Sequence, residues 1–183
     1  RADILFQNSA TGVHATWDIA GTAIIGGGNI GTAAGFSFVA AGDLDGDGKA
    51  DLLFRNAAGT YAAWLINDTA ITGGGNIGNP GADWTFRGLG DFNGDGKSDM
   101  LFQNTTGTYA SWDLDGTSIV GGGTIGNPGG SFQLADIADL NSDGRSDLLF
   151  RDAAGTYASW LINDTAIIGG GNLGNLGAEW GLI

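Results

Sequence analysis

Along the chain, apolar and polar positions fall into short runs rather than helical stripes. LLFRN from Leu52, MLFQN from Met100 and LLFRD from Leu148 are compact apolar runs, each closed by Asn or Asp. TYAAWLI from Thr60 sets Tyr61 and Trp64 among small and aliphatic neighbours. TAITG from Thr69 and TAIIG from Thr165 are β-branched runs that end in glycine, and WTFRGLGD from Trp84 runs into an acidic stretch. Runs of this length and make-up, bounded by Asn, Asp and Gly, predict β-strands. No window sustains the apolar period of a helix. The pattern predicts about four short strands per unit, joined by Asn-Gly, Asp-Gly and Gly-Gly turns. The glycine tracts (GGGNIG at 26 and 73, GGGTIG at 121, GGGNLG at 169) read as turns between these strands.

The units repeat. DLDGDGKAD, DFNGDGKSD and DLNSDGRSD start at Asp43, Asp91 and Asp139, a period of 48 residues. Asp3 stands one period before Asp51, and Trp17, Trp64, Trp112 and Trp160 follow the apolar runs. Four-stranded units at this spacing predict an all-β fold, a β-propeller of four 48-residue repeats in one domain over residues 1–183, with repeats near 1–48, 49–96, 97–144 and 145–183. A parallel β-helix is the runner-up. The stretches 54–84 and 150–180 differ at six of 31 positions, so alternate repeats are the closer pair. The chain falls nine residues short of four periods. The terminal EWGLI is therefore expected to be a strand whose next strand is DILFQN at the N-terminus, closing a ring within one chain or with a second one. The chain begins at Arg1 without a methionine and is expected to be a piece of something longer.

Composition changes the picture at one point. Ten of the twenty acidic side chains fall in the three loops, within a net charge of −13. That charge argues against a nucleic-acid partner. No apolar run is long enough to span a membrane as a helix, and without cysteine no disulfide holds the fold. Carboxylates this close need a counter-charge. In the first loop, Asp43, Asp45, Asp47, the Lys49 carbonyl and Asp51 occupy positions 1, 3, 5, 7 and 9, with Gly48 at 6 allowing a sharp turn. Alternating oxygen donors around a glycine follow the logic of a calcium loop. The donor set lacks the His and Cys of a zinc site. The second loop offers Asp91, Asn93, Asp95, Lys97 and Asp99, and the third Asp139, Asn141, Asp143, Arg145 and Asp147. The reading is about three Ca²⁺ per chain, with a partial site at Asp3 that is either empty or completed by another chain.

These loops, each followed by an LLFRN-like strand and a later tryptophan, resemble the FG-GAP/VCBS repeat family. The resemblance implies a calcium-bound β-propeller with the loops joining adjacent strands of a blade. It also implies kinship with integrin-α propellers, bacterial secreted and surface proteins, and propeller lectins. The best-known members have seven blades, where this chain has four repeats.

Little suggests catalysis. His14 is the one histidine, and its place is taken by Tyr61, Tyr109 and Tyr157 in the other repeats. The carboxylates are better read as metal ligands than as glycosidase acids. The expectation is no enzyme, but an extracellular or cell-surface binding module of bacterial origin. Trp17, Trp64, Trp112 and Trp160 read first as packing between blades. As ligand residues they would give apolar platforms for sugar rings, beside Arg55 and Arg151, with Trp84 and Trp180 as further candidates. Arg55 and Arg151 alternate with Gln7 and Gln103, which reads either as two classes of site or as alternating packing. A glycan is the favoured ligand. A surface protein, or service as an accessory domain of a polysaccharide-degrading enzyme, is the alternative, and a homodimer is an open possibility.

Overall fold

A computed structural model describes residues 3–182. It contains fifteen strands and, among the described residues, no helix. The chain divides into two compact units, Arg1–Asp43 with Asp47–Asn79, and Leu44–Gly46 with Pro80–Ile183.

The first unit holds two antiparallel sheets. One has three strands, β1 (Asp3–Gln7), β2 (Val13–Ala20) and β3 (Ala23–Thr32), in the order β1-β2-β3. The other has four, β4 (Phe36–Gly42), β5 (Asp51–Asn56), β6 (Tyr61–Asn67) and β7 (Ala70–Gly78), in chain order. The second unit holds two four-stranded sheets, also in chain order. They are β8 (Trp84–Gly90), β9 (Asp99–Asn104), β10 (Tyr109–Asp115) and β11 (Ser118–Gly126), then β12 (Phe132–Ala138), β13 (Asp147–Asp152), β14 (Thr156–Asn163) and β15 (Ala166–Asn175). Four-stranded antiparallel meanders are the form of propeller blades. The antiparallel pairing excludes the parallel β-helix.

The apolar runs become second strands because those strands are central and covered on both faces. Met100, Leu101 and Phe102 of β9 are all buried, as are Leu52, Leu53 and Phe54 of β5. The Asn or Asp that ends each run caps the turn beyond it. Asn56 Oδ1 accepts from Thr60 N at 2.9 Å, Asn104 Oδ1 from Thr108 N at 2.9 Å, and Asp152 Oδ1 from Thr156 N at 2.8 Å. The core of the first unit gathers Leu52, Phe54 and Ile66, and that of the second gathers Phe92, Leu101, Tyr109 and Phe150 with their neighbours.

Two expectations are corrected. The glycine tracts are not turns: they lie inside β3, β7, β11 and β15, opposite the tryptophans, as in the pairs Trp64–Gly74 and Trp112–Gly122. The strand expected at the C-terminus is not formed across Glu179–Leu182, and Ile183 lies outside the described residues. The Arg151 guanidinium instead donates to the carbonyls of Ala178 and Trp180, at 2.9 and 2.6 Å.

Candidate metal centre

Each acidic loop joins the first strand of its sheet to the second: β4 to β5, β8 to β9 and β12 to β13. The first aspartate organises the turn. Asp91 Oδ1 accepts from Gly94 N at 2.7 Å and Oδ2 from Gly96 N at 2.8 Å. Asp139 repeats this with Ser142 N at 2.7 Å and Gly144 N at 3.0 Å. Asp43 Oδ2 accepts from Gly48 N at 2.8 Å. The Gly144 amide, first among several backbone donors, holds the Asp139 carboxyl below the usual carboxylate range.

The ninth position is buried in all three loops, at Asp51, Asp99 and Asp147. Asp99 Oδ2 accepts from Phe92 N at 2.9 Å and Oδ1 from Leu114 N at 3.0 Å, so one carboxylate ties the loop to β10. Asp147 does the same with Leu140 N at 2.9 Å and Ile162 N at 2.8 Å. Asp51 Oδ1 accepts from Ile66 N at 2.8 Å. Burial pushes the Asp99 carboxyl up to about 7 against the pull of these two amides, and the Asp113 and Asp95 charges add to the rise. A negative charge there is poorly compensated by the protein alone.

The fifth position is met from within the loop. The ammonium of Lys49 pairs with Asp47, that of Lys97 with Asp95 at 3.3 Å, and the guanidinium of Arg145 with Asp143 at 3.6 Å. Hydrogen bonding to Lys49 holds Asp47 below its ordinary value, and Asp95 holds Lys97 above its own.

In the first loop, one carboxylate oxygen from each of Asp43, Asp45 and Asp51 lies within 4.8 Å of the others. Ca–O bonds run about 2.3–2.6 Å, so donors on opposite sides of one ion stand about 5 Å apart. This trio therefore fits a calcium ion in spacing and in donor chemistry. Asp47 is not part of it. Among the described residues the second and third loops show no such carboxylate trio. Each has Asn at position 3, and Asn141 Nδ2 donates to Asp143 Oδ2 at 3.1 Å.

The other candidates are more scattered. The four tryptophans that follow the apolar runs each stand edge-on to the phenylalanine of the neighbouring strand: Phe6–Trp17 at 4.7 Å, Phe54–Trp64 at 4.8 Å, Phe102–Trp112 at 4.9 Å and Phe150–Trp160 at 4.9 Å. Trp64 also reaches Gly31 of the neighbouring sheet, and Trp160 reaches Gly126. Packing between sheets, the first reading of these residues, describes both. Trp17 is 47% exposed. Arg55 and Arg151 lie over the rings of Tyr61 and Tyr157, at 5.7 and 5.8 Å from the centroids. His14 is buried among Phe38, Phe54 and Trp64 with neither ring nitrogen partnered.

Sequence reasoning passed over the second position of the loops. Leu44 and Phe92 are fully buried. Their carbonyls accept from hairpin amides, Leu44 O from Gly116 N and Phe92 O from Asp164 N, both at 2.7 Å. The signal was present, since an apolar residue follows the first aspartate in all three loops.

Residues 43–102, from the first loop through the second to Phe102, match the family model of the FG-GAP-like repeat. No curated protein matches the chain significantly.

Proposed function

We propose that this chain, an FG-GAP repeat protein by its matched segment, is a calcium-stabilised extracellular binding module without catalytic activity of its own. The observation that carries the calcium reading is the convergence of Asp43, Asp45 and Asp51 within 4.8 Å. Those three would hold the ion in the first loop. Asp91, Asn93, Asp95 and Asp99 would do so in the second, and Asp139, Asn141, Asp143 and Asp147 in the third, with the carbonyls of Lys49, Lys97 and Arg145. In the first loop the ion would supply positive charge among three carboxylate oxygens that lie within 4.8 Å of one another. The protein's part is to hold those oxygens through the backbone amides already described. Calorimetric titration of the chelator-treated protein tests this. Calcium binding at about three sites supports it, and no heat of binding overturns it.

The ligand favoured is a carbohydrate. The support is repetition: aromatic side chains recur beside Asn, Asp and Arg at equivalent places, and weak equivalent sites gain avidity on a multivalent surface. A glycan array run with Ca²⁺ and again with chelator tests it. Binding to one coherent sugar family supports a lectin, and a blank array with calcium-loaded protein removes the reading. One observation favours a protein partner instead, in an adhesion or accessory role. The last strands of three sheets, β3, β11 and β15, expose apolar pairs, Ile24–Ile25, Ile119–Val120 and Ile167–Ile168, which carry no hydroxyl-matching polar group. Closure of a ring, by one chain or by a homodimer, belongs to the same proposal and rests on the repeat count. Light scattering decides between one chain mass and two.

A further inference from the structure

The second unit contains a cleft of about 380 Å³ between its two sheets, a size that suits a small ligand. Thr85 and Arg87 of β8, Gln103 of β9, and Phe132 and Gln133 of β12 are among its walls. No lining residue is acidic, in a chain with twenty acidic side chains and a net charge of −13. The one charged group in the lining is the Arg87 guanidinium.

Arg87 sits at a bulge. The register of β8 on β9 shifts between Phe86 and Gly88, so Arg87 is left without a partner there. The equivalent shifts in β4 and β12 fall at Val39 and Ala135. A bulge re-aims the side chain it carries. Here Arg87 Nη2 donates to Gln103 Oε1 at 2.6 Å. This bears on the alternation of Arg and Gln along the repeats. Arg55 and Arg151 lie over Tyr61 and Tyr157. Gln103, at the same place, pairs in register with Tyr109. Burial pushes the Tyr109 hydroxyl up, and the Arg87 charge works against that rise. Each of the three four-stranded sheets thus sets one guanidinium beside this tyrosine, from β5, β8 and β13. Packing alone would not keep a guanidinium while moving it from one strand to another. The Arg151 guanidinium is spent on the carbonyls of Ala178 and Trp180. Arg87 is exposed, and its Nε and Nη1 have no hydrogen-bond acceptor among the described residues.

We propose that this cleft holds a uronic acid residue of a carbohydrate chain. Arg87 takes the carboxylate, which a guanidinium matches with paired donors. The exposed Thr85 hydroxyl and Gln133 amide face the sugar hydroxyls, and the half-buried Phe132 ring meets a CH face. The inference rests on the carbohydrate reading above and names the class of sugar. A net charge of −13 repels anions in general, so tight uptake of one reports a local site. The test is calorimetric titration of the whole chain with trisaccharides of galacturonate, glucuronate, mannuronate and guluronate, each beside its neutral methyl ester. At least one acid form is expected to bind saturably, and its ester about tenfold more weakly or worse. Arg87→Gln should weaken that ligand by about tenfold or more while leaving the thermal melt unchanged. Gln103→Glu, which sets a carboxylate against Arg87, should weaken it likewise. Should either variant fail to fold, the comparison of acid with ester decides. Absence of binding by every acid form overturns the proposal, as does equal binding of the ester or equal binding by the folded Arg87→Gln protein. Neutral glycans bound on the array without any uronate would remove this inference alone. No sugar bound in either assay would remove the carbohydrate reading with it.

Discussion

The ninth-position aspartates show how one residue serves two levels of structure. Asp99 is buried, holds an amide at each oxygen, and so sets both the entry of its loop and the register of β10. A buried hydrogen bond contributes about 0.5–1.5 kcal/mol net, and removing the acceptor leaves two buried donors unpaired at about 1–3 kcal/mol each. Asp99→Ala is therefore expected to lower unfolding stability by about 3 kcal/mol or more, read from the urea midpoint. His14 presents the opposite case. Its two ring nitrogens are buried without partners among aromatic rings, and an unsatisfied buried polar group costs about 1–3 kcal/mol. His14→Phe keeps the ring and removes the polar atoms, and should raise stability by about 1 kcal/mol in the same assay. The spacing of Asp and Gly marked the loop residues plainly. The burial of the ninth aspartate was not readable, because a sequence does not say which carboxylate faces inward.

At the level of elements, the strands follow from local composition, and the glycine tracts show where that reading stops. Three consecutive glycines suggest a turn. In β11 they instead continue the strand past a register shift, opposite Trp112. The reason is close approach. Gly122 has φ +94°, and a Cβ there would lie 2.4 Å from the Ser111 carbonyl oxygen. The bulge needs a residue without a side chain, and backbone strain of this kind costs about 1–3 kcal/mol. Gly122→Ala should destabilise the protein by about 2 kcal/mol or more, visible as a lower melting temperature. Gly130 makes the control: a Cβ there would meet nothing within 4 Å, so Ala should change little.

For the whole molecule, the main lever is charge. Three bound Ca²⁺ would bring the formal charge from −13 to about −7. A ligand that binds only the folded state adds about 2.7 kcal/mol per site when present at a hundred times its dissociation constant. Chelation is therefore expected to lower the melting temperature by several degrees, with calcium restoring it and magnesium restoring it less. A melt unchanged in excess chelator would remove calcium from the account of stability.

The repeat period, the strand content, the acidic loops and the family resemblance were all legible along the chain, because each rests on residues near one another in sequence. Short apolar runs, turn residues and alternating oxygen donors are local, and local chemistry repeats whenever the sequence does. What could not be read there depends on distant neighbours. The pairing of Asp99 with Leu114, the burial of Leu44 and Phe92 in place of plain solvated loops, and the position of β1 at an edge each require knowing which strand lies beside which. Leu140, at the same loop position as Phe92, is 41% exposed. Closely similar local sequence thus meets different surroundings, and burial is a property of the surroundings.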